Sequence, residues 1–162
     1  IVVGGGSLPP SMYDRPHEDE LQPNRDRMEE QVIHYCVAHG IPIIATCRGM
    51  QYINVMFGGK LWYHPKLPVT RTRGMDHQVW LVKEQRNIWV NNYHSDCIYE
   101  EGLAPCFEPL AIDRENHVVE AYGSDEMKIL ALQWHPERRF ETANAYEETR
   151  KIVLDFIQKH VK

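Results

Sequence analysis

The 162-residue sequence predicts an α/β fold, a three-layer sandwich of helices around a mostly parallel sheet. Three observations carry that expectation. The run "IPIIAT" is continuously apolar, as in strands buried on both faces of a parallel sheet. Helical periodicity appears on either side of such runs, over about Asn24 to His39 and again in the C-terminal segment. The two kinds of segment interleave along the chain, the order expected of a sheet covered by helices.

The elements follow in order. "IVVGGGSLPP" is the end of a β-branched strand that runs into three glycines with no preceding turn or cap. The expectation is a single domain over residues 1–162 that lacks its first strands and helices. "SMYDRPHEDELQPNRDR" is polar and broken by prolines, so it reads as a surface loop. In the first helix Met28, Val32 and Cys36, with Ile33 and Val37 beside them, form the apolar face, and Gly40 ends it. "RGMQYINVMF" is a second helix closed by Gly58-Gly59. The segments "QVWLV", "NIWVNNY", "EPLAI", "HVVEAY" and "KILALQW" are strand candidates. "TANAYEETRKIVLDFIQKHVK" closes the chain as an amphipathic helix. Tyr146, Thr149, Ile152, Val153, Phe156 and Ile157 lie on its apolar face, and Glu147 and Lys151 are spaced to pair.

Composition narrows the function. With 43% hydrophobic and 25% charged residues the chain suits one ordinary globular domain. A net charge of -5 argues against nucleic acid or an anionic membrane as partner. Lys66, Arg71 and Arg73 read as a solvated loop. Cys36 reads as core, and Cys97 and Cys106 flank a loop; the four cysteines form no CxxC pair and match no standard zinc spacing. No metal and no cofactor is called for. The sequence shows no leader-like segment and no apolar run long enough to span a bilayer, which predicts a cytoplasmic protein with reduced thiols.

The stretch "ATCRGMQ" carries the chemistry. Cys47 stands between an apolar strand and a helix, where backbone N–H groups converge and the helix dipole favours a thiolate. Gly49 lets the helix pass close to the strand, and the Arg48 N–H is aimed to donate to an oxyanion. The loop Gly4-Gly5-Gly6 follows another strand end and can offer a second donor at the same sheet edge. A base is available in "LALQWHPERR": His135 follows a third apolar strand, and Glu137, two residues on, points the same way in extended chain. A lone cysteine after a strand is usually core, and a lone His-Pro-Glu is usually a surface turn. The full order, with Gly-rich loop, Cys-x-Gly and His-Pro-Glu each after a strand, is what chance rarely supplies.

These motifs resemble the class I glutamine amidotransferase-like superfamily, whose fold is flavodoxin-like. "IPIIATCRGMQYINVMFGGKL" is most similar to the gamma-glutamyl hydrolases, including the gamma-glutamyl-gamma-aminobutyrate hydrolase group. "NRDRMEE" resembles the Arg-Asp-x-x-Glu signature of their preceding helix, and "LALQWHPER" resembles their His-x-Glu segment. The resemblance implies Cys47 as nucleophile, His135 as base and Glu137 as its partner. It implies oxyanion donors at Gly5 and Arg48, with Gly6 contributing. It also implies γ-glutamyl contacts at Gln51 and in "NNYHSD", from Asn92, Tyr93 and His94. Ala45 stands where the family usually has glycine, Ser7-Leu8 replace an Asp of the glycine loop, and Ser95-Asp96 replace x-Gln after His94. The implied activity is hydrolysis of a γ-glutamyl amide through a γ-glutamyl thioester. The alternative is a glutaminase subunit that supplies ammonia to a partner synthetase. The implied partner is a small-molecule γ-glutamyl substrate, with a homodimer or a synthetase left open.

Overall fold

The computed structural model describes residues 8–9, 12–13, 23–63 and 74–161. Helix α1, Pro23–Ala38, starts with a proline, whose fixed φ and missing N–H cost nothing in a first turn. It ends at Gly40, where φ is +63° and the next amide, of Ile41, donates to the Cys36 carbonyl at 2.8 Å. Strand β1, Ile43–Thr46, leads into helix α2, Arg48–Met56. The Gly58-Gly59 turn then closes α2 for a steric reason. A Cβ on Gly59 would meet Asn54 Oδ1 at 2.3 Å, and Asn54 is committed to the Lys60 and Gly102 carbonyls and the Ala104 amide.

The chain continues through β2 (Trp62–Tyr63), β3 (Asp76–Leu81), β4 (Arg86–Asn91) and β5 (Asp96–Cys97). It then passes β6 (Glu108–Asp113), β7 (Val118–Ser124) and β8 (Ile129–Leu132) to reach helix α3 (Ala145–His160). Every strand read from the sequence over these residues is present. The main sheet has six strands in the order β1-β8-β7-β6-β3-β4, and β2 pairs with β5 in a separate ribbon. β1 and β8 run parallel, from Ile43 opposite Ile129 to Thr46 opposite Leu132. The other pairings in this sheet are antiparallel. Over the described residues the sheet is therefore mixed rather than mostly parallel. β6, β7 and β8 follow one another through short turns, and a short turn can only reverse the chain.

The three layers are as expected. Ile33 and Cys36 of α1 and Met50, Tyr52 and Ile53 of α2 pack on one face of the sheet, against Ile43, Ala45, Val119, Tyr122, Ile129 and Ala131. Phe140 and the α3 residues Ile152, Val153 and Phe156 cover the other face, over Val79, Leu81, Ile88, Val90, Leu130 and Leu132. Ala45 is fully buried, so the methyl group in place of glycine fits.

Two helix faces differ from expectation. On α1, Met28 and Val32 are exposed, and Glu29, Ile33 and Cys36 are the buried residues. On α3, Tyr146 is exposed, and the surface pairs are Lys151 with Asp155 and Arg150 with Glu147 instead of Glu147 with Lys151. Among the described residues, no helix is long and apolar enough to cross a membrane.

Candidate active site

Parallel pairing brings the C-terminal ends of β1 and β8 to one edge of the sheet. Cys47 extends this ladder by one bond, its N–H donating to the Leu132 carbonyl at 2.7 Å. The backbone then breaks sharply, with φ 50° and ψ -108° at Cys47, a conformation rare for a residue with a side chain. The ladder holds one side of the break. On the other side the first turn of α2 holds it, through Gln51 N–H on the Cys47 carbonyl at 3.1 Å. The result is a sharp strand-to-helix turn at the C-terminal edge of the sheet, with Cys47 at its apex.

The Arg48 amide donates to the thiol, so the helix N-terminus points where the sequence places it. The thiolate is nevertheless not favoured in the resting chain. Burial pushes the Cys47 thiol up to about 11, against the smaller opposing pull of the Arg48 amide and the Arg138 charge. The helix N-terminus does favour the thiolate, as expected, but burial outweighs it.

The Arg48 side chain turns away from the thiol. It is 1% exposed and ion-pairs with Asp26 and Glu29 of α1, lying over the Tyr52 ring. Arg25 braces the same Glu29 at 2.7 Å, and the Tyr52 hydroxyl donates to the Asp26 carbonyl at 2.9 Å. The Arg-Asp-x-x-Glu signature is thus a clamp that fastens α1 to the residue after Cys47.

Past β8 the chain reaches His135, 3% exposed, whose Nδ1 lies 2.6 Å from Glu137 Oε1. A carboxylate oxygen can only accept, so Nδ1 carries the proton and Nε2 is left as the basic lone pair. Burial lowers the imidazole below its ordinary 6.5. The Glu137 hydrogen bond and charge raise it, while Arg138 and His94 repel the charged form. Glu137 and Arg138 act electrostatically on Cys47 as well, which ties the two halves of the edge together. Asn91 fixes the His135 backbone from both sides: its Nδ2 donates to the His135 carbonyl at 2.8 Å, and its Oδ1 accepts from the His135 amide at 2.9 Å. Tyr93 meets the imidazole edge to face at 5.6 Å, with the Arg138 guanidinium 4.4 Å above the Tyr93 ring.

The residues expected to contact a γ-glutamyl group converge on this edge. The buried Gln51 donates through Nε2 to the Asp96 carbonyl and to Gln133 Oε1, both at 3.1 Å. Asn92 is buried and accepts the His94 amide at 3.4 Å. His94 places Nδ1 at 3.0 Å from the Asp96 carbonyl and Nε2 at 3.6 Å from Glu120 Oε2. Gly5 and Gly6 lie outside the described residues. An open cavity lined by Trp80, Val82, Glu100, Ile112, Arg114 and His117 contains none of these residues.

Sequence reasoning missed Asn91, Asp96, Gln133, Arg138 and Glu120. Asn91, Asp96, Gln133 and Arg138 lie inside or beside the quoted motifs "NNYHSD" and "QWHPER", where only some positions were assigned. Glu120 carried its own signal, a carboxylate in the middle of the apolar strand "HVVEAY".

A cysteine at a sharp turn after one strand and a His-x-Glu pair after its parallel neighbour, in a helix-sheet-helix sandwich, agree with the class I glutamine amidotransferase-like superfamily. Residues 1–137 match the family described as Peptidase C26. The chain belongs to that family, in the gamma-glutamyl hydrolase group of the superfamily. It is 31% identical over 159 residues to protein NtpR of Enterococcus hirae, a match covering 85% of this chain and 65% of that one. It is 27% identical over 157 residues to the gamma-glutamyl-gamma-aminobutyrate hydrolase PuuD of Escherichia coli, covering 81% and 60%. A glutamine amidotransferase of Thermotoga maritima superposes with a TM-score of 0.58 over 85% of this chain and 57% of its own, at 16% identity, a likeness of fold alone. The chain spans less than two thirds of the length of these relatives.

Proposed function

We propose that the protein is a cysteine-dependent hydrolase of γ-glutamyl amides that acts in the cytoplasm and releases glutamate and an amine. Cys47 Sγ attacks the γ-carbonyl carbon as His135 Nε2 takes the thiol proton. The oxyanion that forms accepts the Arg48 amide and, from the sequence, an amide of Gly5 or Gly6. His135 then gives its proton to the amine nitrogen as the C–N bond breaks, leaving a γ-glutamyl thioester. It next takes a proton from water, whose oxygen attacks the thioester, and returns that proton to the departing sulfur. Glu137 keeps the ring in the required tautomer throughout. Gln51, Asn92, Tyr93 and His94 form the γ-glutamyl side of the pocket. The observation that carries this reading is the positive φ of Cys47 at the same sheet edge as a His135 already oriented by Glu137.

The test is kcat/KM for a panel of γ-glutamyl amides, with α-glutamyl and β-aspartyl analogues and free glutamine beside them. The expected outcome is cleavage of γ-glutamyl amides of several amines and rejection of the other two classes. A site built to pair an α-amino and an α-carboxylate group rejects displaced ones more strongly than it rejects a changed apolar tail. Cleavage of glutamine alone, and only with an added synthetase, would establish the ammonia-supplying alternative instead.

A further inference from the structure

The proposed mechanism leaves one buried charge without a task. Glu120 on β7 is fully buried, and its two carboxylate oxygens face two histidines from different parts of the chain. His77 of β3 brings Nε2 to 3.4 Å from Oε1, and His94 of the β4–β5 loop brings Nε2 to 3.6 Å from Oε2. The local register explains how a charge comes to point here. Ala121 opposes Ala111 and Val119 opposes Ile112, which leaves Glu120 as an extra residue in a bulge of β7. A bulge re-aims a side chain out of the strand's alternation. Burial alone would push the Glu120 carboxyl up; His94 first and then His77 overcome that and hold it well below the usual carboxylate range. Among the described residues no three His, Cys, Asp or Glu side chains are arranged to hold a metal ion; the cluster is a clamp of two imidazoles on one carboxylate.

The clamp is joined to the site at both ends. Through its side chain, Glu120 reaches His94, whose Nδ1 meets the Asp96 carbonyl, and that carbonyl accepts Gln51 Nε2. Gln51 also donates to Gln133 Oε1, and the Gln133 amide donates to the Glu120 carbonyl at 2.7 Å. The path closes into a ring that begins and ends on one residue. Such a network fixes its members only while each is paired.

We propose that Glu120 is a positioning residue for γ-glutamyl recognition. Its carboxylate, gripped by His77 and His94, holds the loop from Asn91 to Asp96 in the geometry that sets the Gln51 amide beside the nucleophile turn. The inference rests on the γ-glutamyl reading of the pocket and assigns Glu120 no contact with substrate.

The experiment separates recognition from reactivity in the full-length protein. Iodoacetamide labelling of Cys47 is followed peptide by peptide, at about pH 8.5 so that the thiol reacts measurably, with increasing L-glutamate as protecting ligand. Glu120→Gln keeps the shape and removes the charge. The glutamate concentration giving half-protection should rise about tenfold, while the unprotected labelling rate stays within about twofold. His77→Gln removes one of the two grips and should give a rise of about threefold, which keeps the test open if Glu120→Gln folds poorly. A general loosening would speed or slow labelling without glutamate and would not single out protection. Half-protection unchanged in both variants overturns the proposal, as does a failure of glutamate to protect the unsubstituted protein. Hydrolysis of a γ-glutamyl anilide is measured separately. Protection without hydrolysis would sink the proposed function and leave the role of Glu120 standing.

Discussion

At the scale of single residues, the same charges act on both Cys47 and His135. Arg138 lowers the Cys47 thiol and the His135 imidazole, whereas Glu137 raises both. His135 must be neutral to act as base, so the acid limb of kcat/KM should lie below its ordinary 6.5. Arg138→Gln lifts the imidazole and should move that limb to higher pH. Glu137→Gln removes a raising influence and should move it to lower pH. A pH profile in which both variants shift the limb the same way would exclude His135 as the titrating base. Turnover follows a different order. Cys47→Ala should lower kcat by about 10⁶-fold and Glu137→Gln by about 10³-fold, because the second loses orientation and keeps the nucleophile and its donors. Single-turnover measurements with a γ-glutamyl amide would check the ranking.

At the scale of elements, α1 and α2 are joined by charge as well as through the shared apolar core. Arg48→Ala would leave Glu29 and Asp26 without their shared buried partner, and stability should fall by about 3–5 kcal/mol, read from a urea transition. A loss below about 1 kcal/mol would show that the clamp is no stronger than a surface pair. This clamp also explains what the sequence hid. Strands announced themselves by unbroken apolar runs, and the Cys-Arg-Gly and His-Pro-Glu segments by residue types at strand ends. Periodicity, however, assigns a helix face from its apolar residues. In α1 the rotation is set by Asp26 and Glu29 reaching inward to Arg48, and Met28 and Val32 turn outward as a result. The bulge at Glu120 was hidden for a similar reason, since strand alternation has no symbol for an extra residue. Pairing partners were equally out of reach: nothing local to "NNYHSD" says that Asn91 will hold the backbone of His135, 44 positions away.

At the scale of the whole molecule, the site exists only when distant parts of the chain have met. Gln51 and Gln133 are 82 positions apart, and the Cys47 turn is held by a bond to the last residue of β8. The burial that pushes the Cys47 thiol up to about 11 belongs to the folded chain, and before β8 pairs with β1 the thiol should lie lower. A chain ending before β8 should be oxidised at Cys47 by dilute peroxide faster than the complete protein, as mass spectrometry of the Cys47 peptide would show; equal rates would mean that burial does not protect it. For a ribosome making this protein, the interval between the emergence of Cys47 and that of β8 is a window of vulnerability. On this prediction the closing of the sheet shelters the sulfur from oxidants, and the same step brings His135 to the edge where Cys47 stands.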